Sequence, residues 1–277
     1  MRQPSMRRRR KALICCGVCM ALTVGIAAYT LFLSWGEPDA EAAESSVQAS
    51  VLADPSAPPE DSEFIRIEPV EVEGIDPDRP IIALTVDDSV TALTHEYCRV
   101  IEANGCTATF FTVGYLAEED PETLKALADA GMEIGNHGYS HQQLVGLSEE
   151  KIRQQISRTD ELLERLLGKV PALMRPPYSR VNQDVLDAAG HPVILWNLDV
   201  QDAVASSSDE VLNRLLSAAD GDIVRVHDGI SMTLDALKEG LPALREAGMQ
   251  VTTVSNLFAV RGYALQDGRR YSALPGE

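Results

Sequence analysis

Ile81-Ile82-Ala83-Leu84-Thr85-Val86-Asp87-Asp88 is a nearly unbroken apolar run that stops on two adjacent carboxylates. A short run of this composition reads as a buried strand. Downstream, Met132-Glu133-Ile134-Gly135-Asn136 reads as a second strand and runs into His137-Gly138-Tyr139-Ser140-His141. Two imidazoles and one carboxylate are a common zinc ligand set that leaves a coordination position open for water. The spare carboxylate is then available as a general base. Metal-assisted hydrolysis is the first chemistry these residues suggest.

The same strand-like pattern repeats. Seven short apolar runs occur at 81–86, 107–113, 132–136, 172–175, 192–196, 222–227 and 250–254. Helical patterns follow them at 95–103, 121–130, 148–167, 182–189, 209–219 and 234–247, with a closing one at 256–260. Ser148 is placed to cap the longest helix, with Glu149 and Glu150 in its first turn and Gly168 after its end. Alternation of this kind argues for a parallel sheet covered by helices. The fold expected is α/β, a distorted and incomplete (β/α) barrel of about seven units, in which sites form at the C-terminal ends of the strands. Asp87, Asp88, Asn136, His137, Arg175, Asp199, Asp202 and His227 all fall at or just beyond such ends.

The chain begins differently. Residues 1–11 hold six cations and no acid, and Ala12 to Trp35 carries no charged residue. A span needs roughly 20 apolar residues, and a basic flank stays in the cytoplasm. A cleaved signal peptide fits less well, because its apolar core is roughly 7–15 residues long. The expected organisation is a basic cytoplasmic tail (1–11), a transmembrane signal anchor (12–35), a flexible acidic and Pro-rich stalk (36–63), and a catalytic domain (64–277). That places the chain in the cell membrane as a single-pass protein with its bulk outside, and it is expected to be monomeric. The net charge is −18, and setting aside the six N-terminal cations leaves −24 for the rest. Such a surface repels nucleic acid and anionic lipid. Cys98 and Cys106 leave two readings open, a disulfide or two buried thiols, of which the second is favoured.

Five stretches together resemble the polysaccharide deacetylases, the NodB homology domain of carbohydrate esterase family four. They are Ala83–Asp88, Gly135–His141, Met174–Tyr178, Trp196–Asp202 and Asp222–Gly229, in the family's order. The resemblance implies that Asp88, His137 and His141 bind a divalent metal, zinc first and cobalt or another ion as alternatives. It implies attack by a metal-activated water on an acetyl carbonyl, with Asp87 as base. Arg175 would hold Asp87 through a paired hydrogen bond, and the Tyr178 main-chain N–H would help hold the oxyanion. His227 would protonate the leaving amine, oriented by Asp202 in preference to Asp199. The implied substrate is a glycan polymer with N-acetylhexosamine units, and an anchor favours peptidoglycan.

Departures from the family pattern bear on the substrate. The usual Trp after Asp202 is Ala203, and the usual Leu two residues before the catalytic His is Arg225. Both positions help line the acetate pocket in the family. Arg225 therefore keeps three readings: it points elsewhere, it stacks on sugar, or it accepts an anionic group such as a lactyl carboxylate. Two rival functions remain, an O-acetyl esterase on xylan or another glycan, and a non-catalytic glycan-binding barrel.

Overall fold

The computed structural model describes residues 64–275. The expected tail, anchor and stalk lie outside these residues. Among the described residues no helix is long and apolar enough to cross a membrane.

The central strand is β2 (Ile81–Ser89). It pairs in parallel with β7 (Ile223–His227) on one edge. On the other edge, β8 (Gln250–Thr252) pairs its first half and β3 (Thr109–Thr112) its second. Beyond β3 lies β4 (Glu133–Asn136), and beyond β7 lies β6 (Leu198–Asp199), both parallel to their neighbours. Single bridges from Asn136 to Met174 and from Met174 to Val193 carry the pairing on to β5 (Val193–Ile194). Only Leu195–Asn197 separate β5 from β6, so the pairing runs round through this stretch to β7. The architecture is barrel-like. Two small strand pairs complete it: β1 (Ile65–Arg66) antiparallel with β9 (Tyr263–Ala264), and β10 (Arg270–Tyr271) parallel with β5.

Around the strands lie α1 (Thr94–Ala103), α2 (Gly114–Glu119), α3 (Pro121–Asp129), α4 (Glu149–Leu167), α5 (Gln183–Ala189), α6 (Ser208–Leu215), α7 (Ser231–Glu246) and α8 (Val254–Val260). Strand alternation decides what each face does. Ile82, Leu84, Val86, Val224 and Val226 pack with Tyr97, Leu127, Leu163 and Leu237 of the covering helices. Ile81, Ala83 and Ile223 join Phe111, Ile194 and Trp196 in a second cluster. Thr85, Asp87, Arg225 and His227 share the parity of that second set, so they project to the inner side, at the end where the strands finish.

Several expectations need correction. β2 does not stop at Val86 but runs through both carboxylates to Ser89, with a register shift between Val86 and Ser89. The run at 172–175 makes isolated bridges at Met174 instead of a full strand. Pro171, Pro176 and Pro177 bracket it, and proline removes donors and restricts the residue before it. The helix expected to reach 219 ends at Leu215. Ser148 occupies the cap position of α4 without a side-chain cap bond, whereas Gly168 ends that helix at φ 76° as expected. The turn α2 and the pair β1–β9 were not legible in the pattern. Cys98 and Cys106 are free, buried thiols, and burial pushes the Cys106 thiol up to about 11.

Candidate active site

Asp87 and Asp88 are neighbours in one strand, and alternation alone would send them to opposite faces. Asp87 keeps the inner parity and is 2% exposed. Asp88 adopts φ 62°, the left-handed region that non-glycine residues seldom occupy. That twist brings its carboxylate into the same cavity. A residue held this way costs on the order of 1–3 kcal/mol, and such residues cluster at functional sites.

Asp88 Oδ1 lies 3.0 Å from His141 Nε2 and 3.4 Å from His137 Nε2. It is nevertheless a buried oxygen without a hydrogen-bond partner. The candidate ligand atoms of Asp88, His137 and His141 lie within 4.8 Å of one another. Buried polar atoms are almost always satisfied, so an orphan oxygen facing two ring nitrogens fits a cation between them. His137 Nδ1 lies 2.6 Å from the Arg175 carbonyl, which fixes the ring and turns Nε2 to the cluster. These three residues could hold a divalent ion. The Asp88 carboxyl is held well below its usual range. Burial opposes this, but the two imidazoles of His137 and His141 that face it outweigh it.

The loop carrying both histidines is tied from behind. Asn136, fully buried, accepts from the Gly138 N–H at 2.7 Å and donates to the Ile156 carbonyl at 2.9 Å and to Asp160 Oδ1 at 2.7 Å. Asp160 Oδ2 in turn meets His191 Nε2 at 2.8 Å. Gly138 has φ 72°, and a Cβ there would press on Pro177 at 3.3 Å.

Asp87 Oδ1 accepts from Arg175 Nη1 at 2.6 Å. The expected paired grip is not what forms. Three other donors of the guanidinium go to Thr85 Oγ1 at 2.8 Å and to the Ile194 and Leu195 carbonyls at 2.9 and 2.8 Å. The Arg175 guanidinium carbon also lies 4.2 Å from the Phe111 ring centroid. Burial pulls the Asp87 carboxyl up, but Arg175 above all, then His137, His227 and Arg225, hold it below the usual range. Asp87 is an ionised carboxylate with Oδ2 left unspent by Arg175.

His227, on β7, is the register partner of Asp87. Asp202, 1% exposed, takes the His227 ring Nδ1 at 2.7 Å, its main-chain N–H at 2.7 Å and the Thr233 hydroxyl at 2.9 Å. Burial lowers the affinity of His227 for a proton, yet the Asp202 hydrogen bond and the Asp87 and Asp202 charges outweigh it, and the pKa rises. Asp199 sits elsewhere, in an ion pair with Arg225. Arg225 lies over the Trp196 ring, 3.6 Å from its centroid.

Tyr178 is left-handed (φ 57°), 62% exposed, and its ring centroid stands 4.7 Å from that of His141. A cavity of roughly 460 Å³ is lined by Asp87, Asp88, His137, His141, Tyr178 and His227, with Gln143, Ser179, Arg180 and Arg225 at its walls. Six of the eight residues expected at the site thus line one cavity, and the other two, Arg175 and Asp202, stand buried behind Asp87 and His227. Asn136 and Thr85 lie in the stretches that the sequence singles out, but without an assigned role; Asp160, Thr233 and Arg180 carry no signal in the sequence.

The family model for polysaccharide deacetylase matches residues 74–191, and the chain belongs to this family. The peptidoglycan-N-acetylmuramic acid deacetylase PdaC of Bacillus subtilis is 34% identical over 191 residues, which are 68% of this chain and 41% of that protein. The chain therefore spans less than half the length of that relative. A peptidoglycan-N-acetylglucosamine deacetylase of Bacillus cereus is 33% identical over 188 residues, covering 64% of this chain and 88% of the relative. The solved structure of PdaC superposes with a TM-score of 0.66 at 33% identity, over 68% of this chain and 94% of that one.

Proposed function

We propose that this chain is a metal-dependent deacetylase that removes N-acetyl groups from hexosamine units of peptidoglycan, leaving a free amine and acetate. The observation that carries the reading is one cavity holding three things together. These are the Asp88, His137 and His141 cluster, the Arg175-held carboxylate of Asp87, and the Asp202-held imidazole of His227. The names of both relatives support the substrate.

Zinc is the ion we favour for the cluster, with cobalt as an alternative. A divalent ion there supplies a Lewis acid that polarises the acetyl carbonyl and acidifies water. Asp87 takes the proton of the attacking water on the oxygen that Arg175 leaves free. The water oxygen bonds to the acetyl carbon, and the C–N bond breaks. His227 gives its ring proton to the departing nitrogen, and its raised pKa favours the protonated form that this step needs. Arg175 keeps Asp87 ionised and fixed, and the Tyr178 main-chain N–H donates to the oxyanion.

Six cations followed by the uncharged stretch Ala12–Trp35 support a single-pass anchor with residues 64–277 outside the cytoplasm. An anchored enzyme works on glycan close to the membrane. The test is acetate release by the full-length chain from peptidoglycan, N-acetylglucosamine oligomers and acetylated xylan. Release from peptidoglycan that Asp87→Asn abolishes supports the reading. Release from xylan alone transfers it to an O-acetyl esterase, and no release from any polymer transfers it to a glycan-binding barrel.

A further inference from the structure

Residues 64–277 contain 34 Asp and Glu against 18 Lys and Arg. Yet two arginines, Arg180 and Arg225, line the cavity. A third, Arg175, lies behind Asp87, fully buried. Their charges have different fates. Arg175 is matched to Asp87. Arg225 is matched to Asp199 and lies flat on Trp196. Arg180 is exposed and, among the described residues, has no ion-pair or hydrogen-bond partner.

The segment that presents Arg180 is rigid. It follows a tight turn, Pro177–Ser179, in which Pro176 and Pro177 fix the backbone and Tyr178 and Ser179 are both left-handed. The Ser179 N–H closes the turn on the Pro176 carbonyl at 2.9 Å, and Ser179 itself is 2% exposed. A guanidinium offers a planar fork of donors that matches a carboxylate. An unpaired cation at the wall of a cleft in an otherwise acidic protein focuses anions there.

We infer that Arg180 is a specificity-determining residue that recognises a carboxylate carried by the glycan. The preferred sugar is then an N-acetylhexosamine with an acidic substituent near its acetamido group. This rests on the deacetylase reading above. In peptidoglycan the shared chemistry has two sources: the lactyl ether of N-acetylmuramic acid once the stem peptide is removed, and the carboxylates of the stem peptide itself. Neutral N-acetylglucosamine oligomers offer neither.

The experiment compares the full-length chain with Arg180→Gln and Arg180→Lys. The substrates are peptide-free glycan oligomers with free lactyl carboxylates, the same oligomers with those carboxylates amidated, and peptide-bearing oligomers. Acetate release gives kcat/KM, and Asp87→Asn protein gives Kd for each oligomer. A hydrogen bond to a charged group is worth about tenfold or more in binding. The expected result is a free-over-amidated preference of that size, reduced toward unity in Arg180→Gln, partly kept in Arg180→Lys, and weakened by salt. Preference for peptide-bearing oligomers with the same dependence on Arg180 also supports the inference and assigns the carboxylate to the peptide. Equal handling of all the oligomers, or a preference that Arg180→Gln leaves intact, overturns it. If no oligomer releases acetate, the deacetylase reading fails, and the Kd ratios alone then decide the role of Arg180.

Discussion

Asp202 holds His227 at two points, taking the ring Nδ1 and the main-chain N–H at 2.7 Å each, so ring and strand are fixed by one carboxylate. The Thr233 hydroxyl donates to the same Oδ2 that accepts the His227 main-chain N–H. Proton affinity at the far ring nitrogen is therefore set by a group that is itself immobile. A His227 acting as acid must be protonated, so activity falls as pH rises through its raised pKa. Asp202→Asn keeps the shape and removes the charge. The high-pH limb of the kcat/KM profile is expected to move to lower pH, with kcat reduced about 10²-fold or more. A full pH–rate profile of the two proteins checks this; an unmoved limb removes His227 from the acid role.

Arg175 and Asp87 form a buried ion pair in which the cation also satisfies two carbonyls and a hydroxyl. Removing one partner strands the other away from water, a loss of about 3–5 kcal/mol. Arg175→Met is expected to lose stability on that scale. Asp87→Asn, which can still accept from Arg175, is expected to lose activity with a much smaller change in stability. Urea denaturation beside acetate release separates the two effects. Comparable destabilisation by both substitutions means that the pair is chiefly structural.

How far the sequence revealed this site follows from where each residue stands. The acidic pair and both histidines end apolar runs, so their place at the strand ends was legible. Their orientation was not, because β2 is apolar on both faces and hides its own period of two. Nothing in the order of residues shows that Asp88 turns left-handed to join Asp87 in the cavity. Asp160 was invisible for another reason. It lies within a long amphipathic helix, where a carboxylate reads as solvated surface, and only the tertiary fold brings it to Asn136 and His191. Arg175 before two prolines was legible as a site residue. Its donors were not, since three of its acceptors belong to Thr85, Ile194 and Leu195, remote in sequence.

Metal dependence has a readout independent of turnover. An ion that binds the folded chain stabilises it by about 2.7 kcal/mol at a concentration one hundred times Kd. Zinc added to chelator-treated protein is expected to raise Tm, and His137→Ala is expected to abolish that rise. Asp160→Ala removes no ligand but releases Asn136, which holds the Gly138 N–H. Partners behind the ligands typically contribute 10- to 100-fold to metal affinity. Asp160→Ala is therefore expected to weaken zinc binding by about tenfold, measured by competition with a chromophoric chelator. Unchanged affinity means that the Asn136 bonds to Ile156 and Gly138 hold the loop without Asp160.

Arg225 acts on the same imidazole as Asp202 but with the opposite sign. Its charge lowers the proton affinity of His227, while that of Asp202 raises it. Arg225→Leu removes the cation and leaves Trp196 uncovered and Asp199 without its partner. The high-pH limb of the profile is then expected to move up, against the downward move in Asp202→Asn. Arg225→Lys keeps a charge on the same strand position and is expected to leave the limb near its original place. It should still lose the flat contact with Trp196. A shift common to Arg225→Leu and Arg225→Lys assigns the effect to packing against Trp196; a shift confined to Arg225→Leu assigns it to charge. The double substitution Arg225→Leu with Asp202→Asn then tests whether the two opposed shifts add at His227. Additivity is expected if each acts on the ring through space, and a departure from it means that losing one carboxylate or cation rearranges the other.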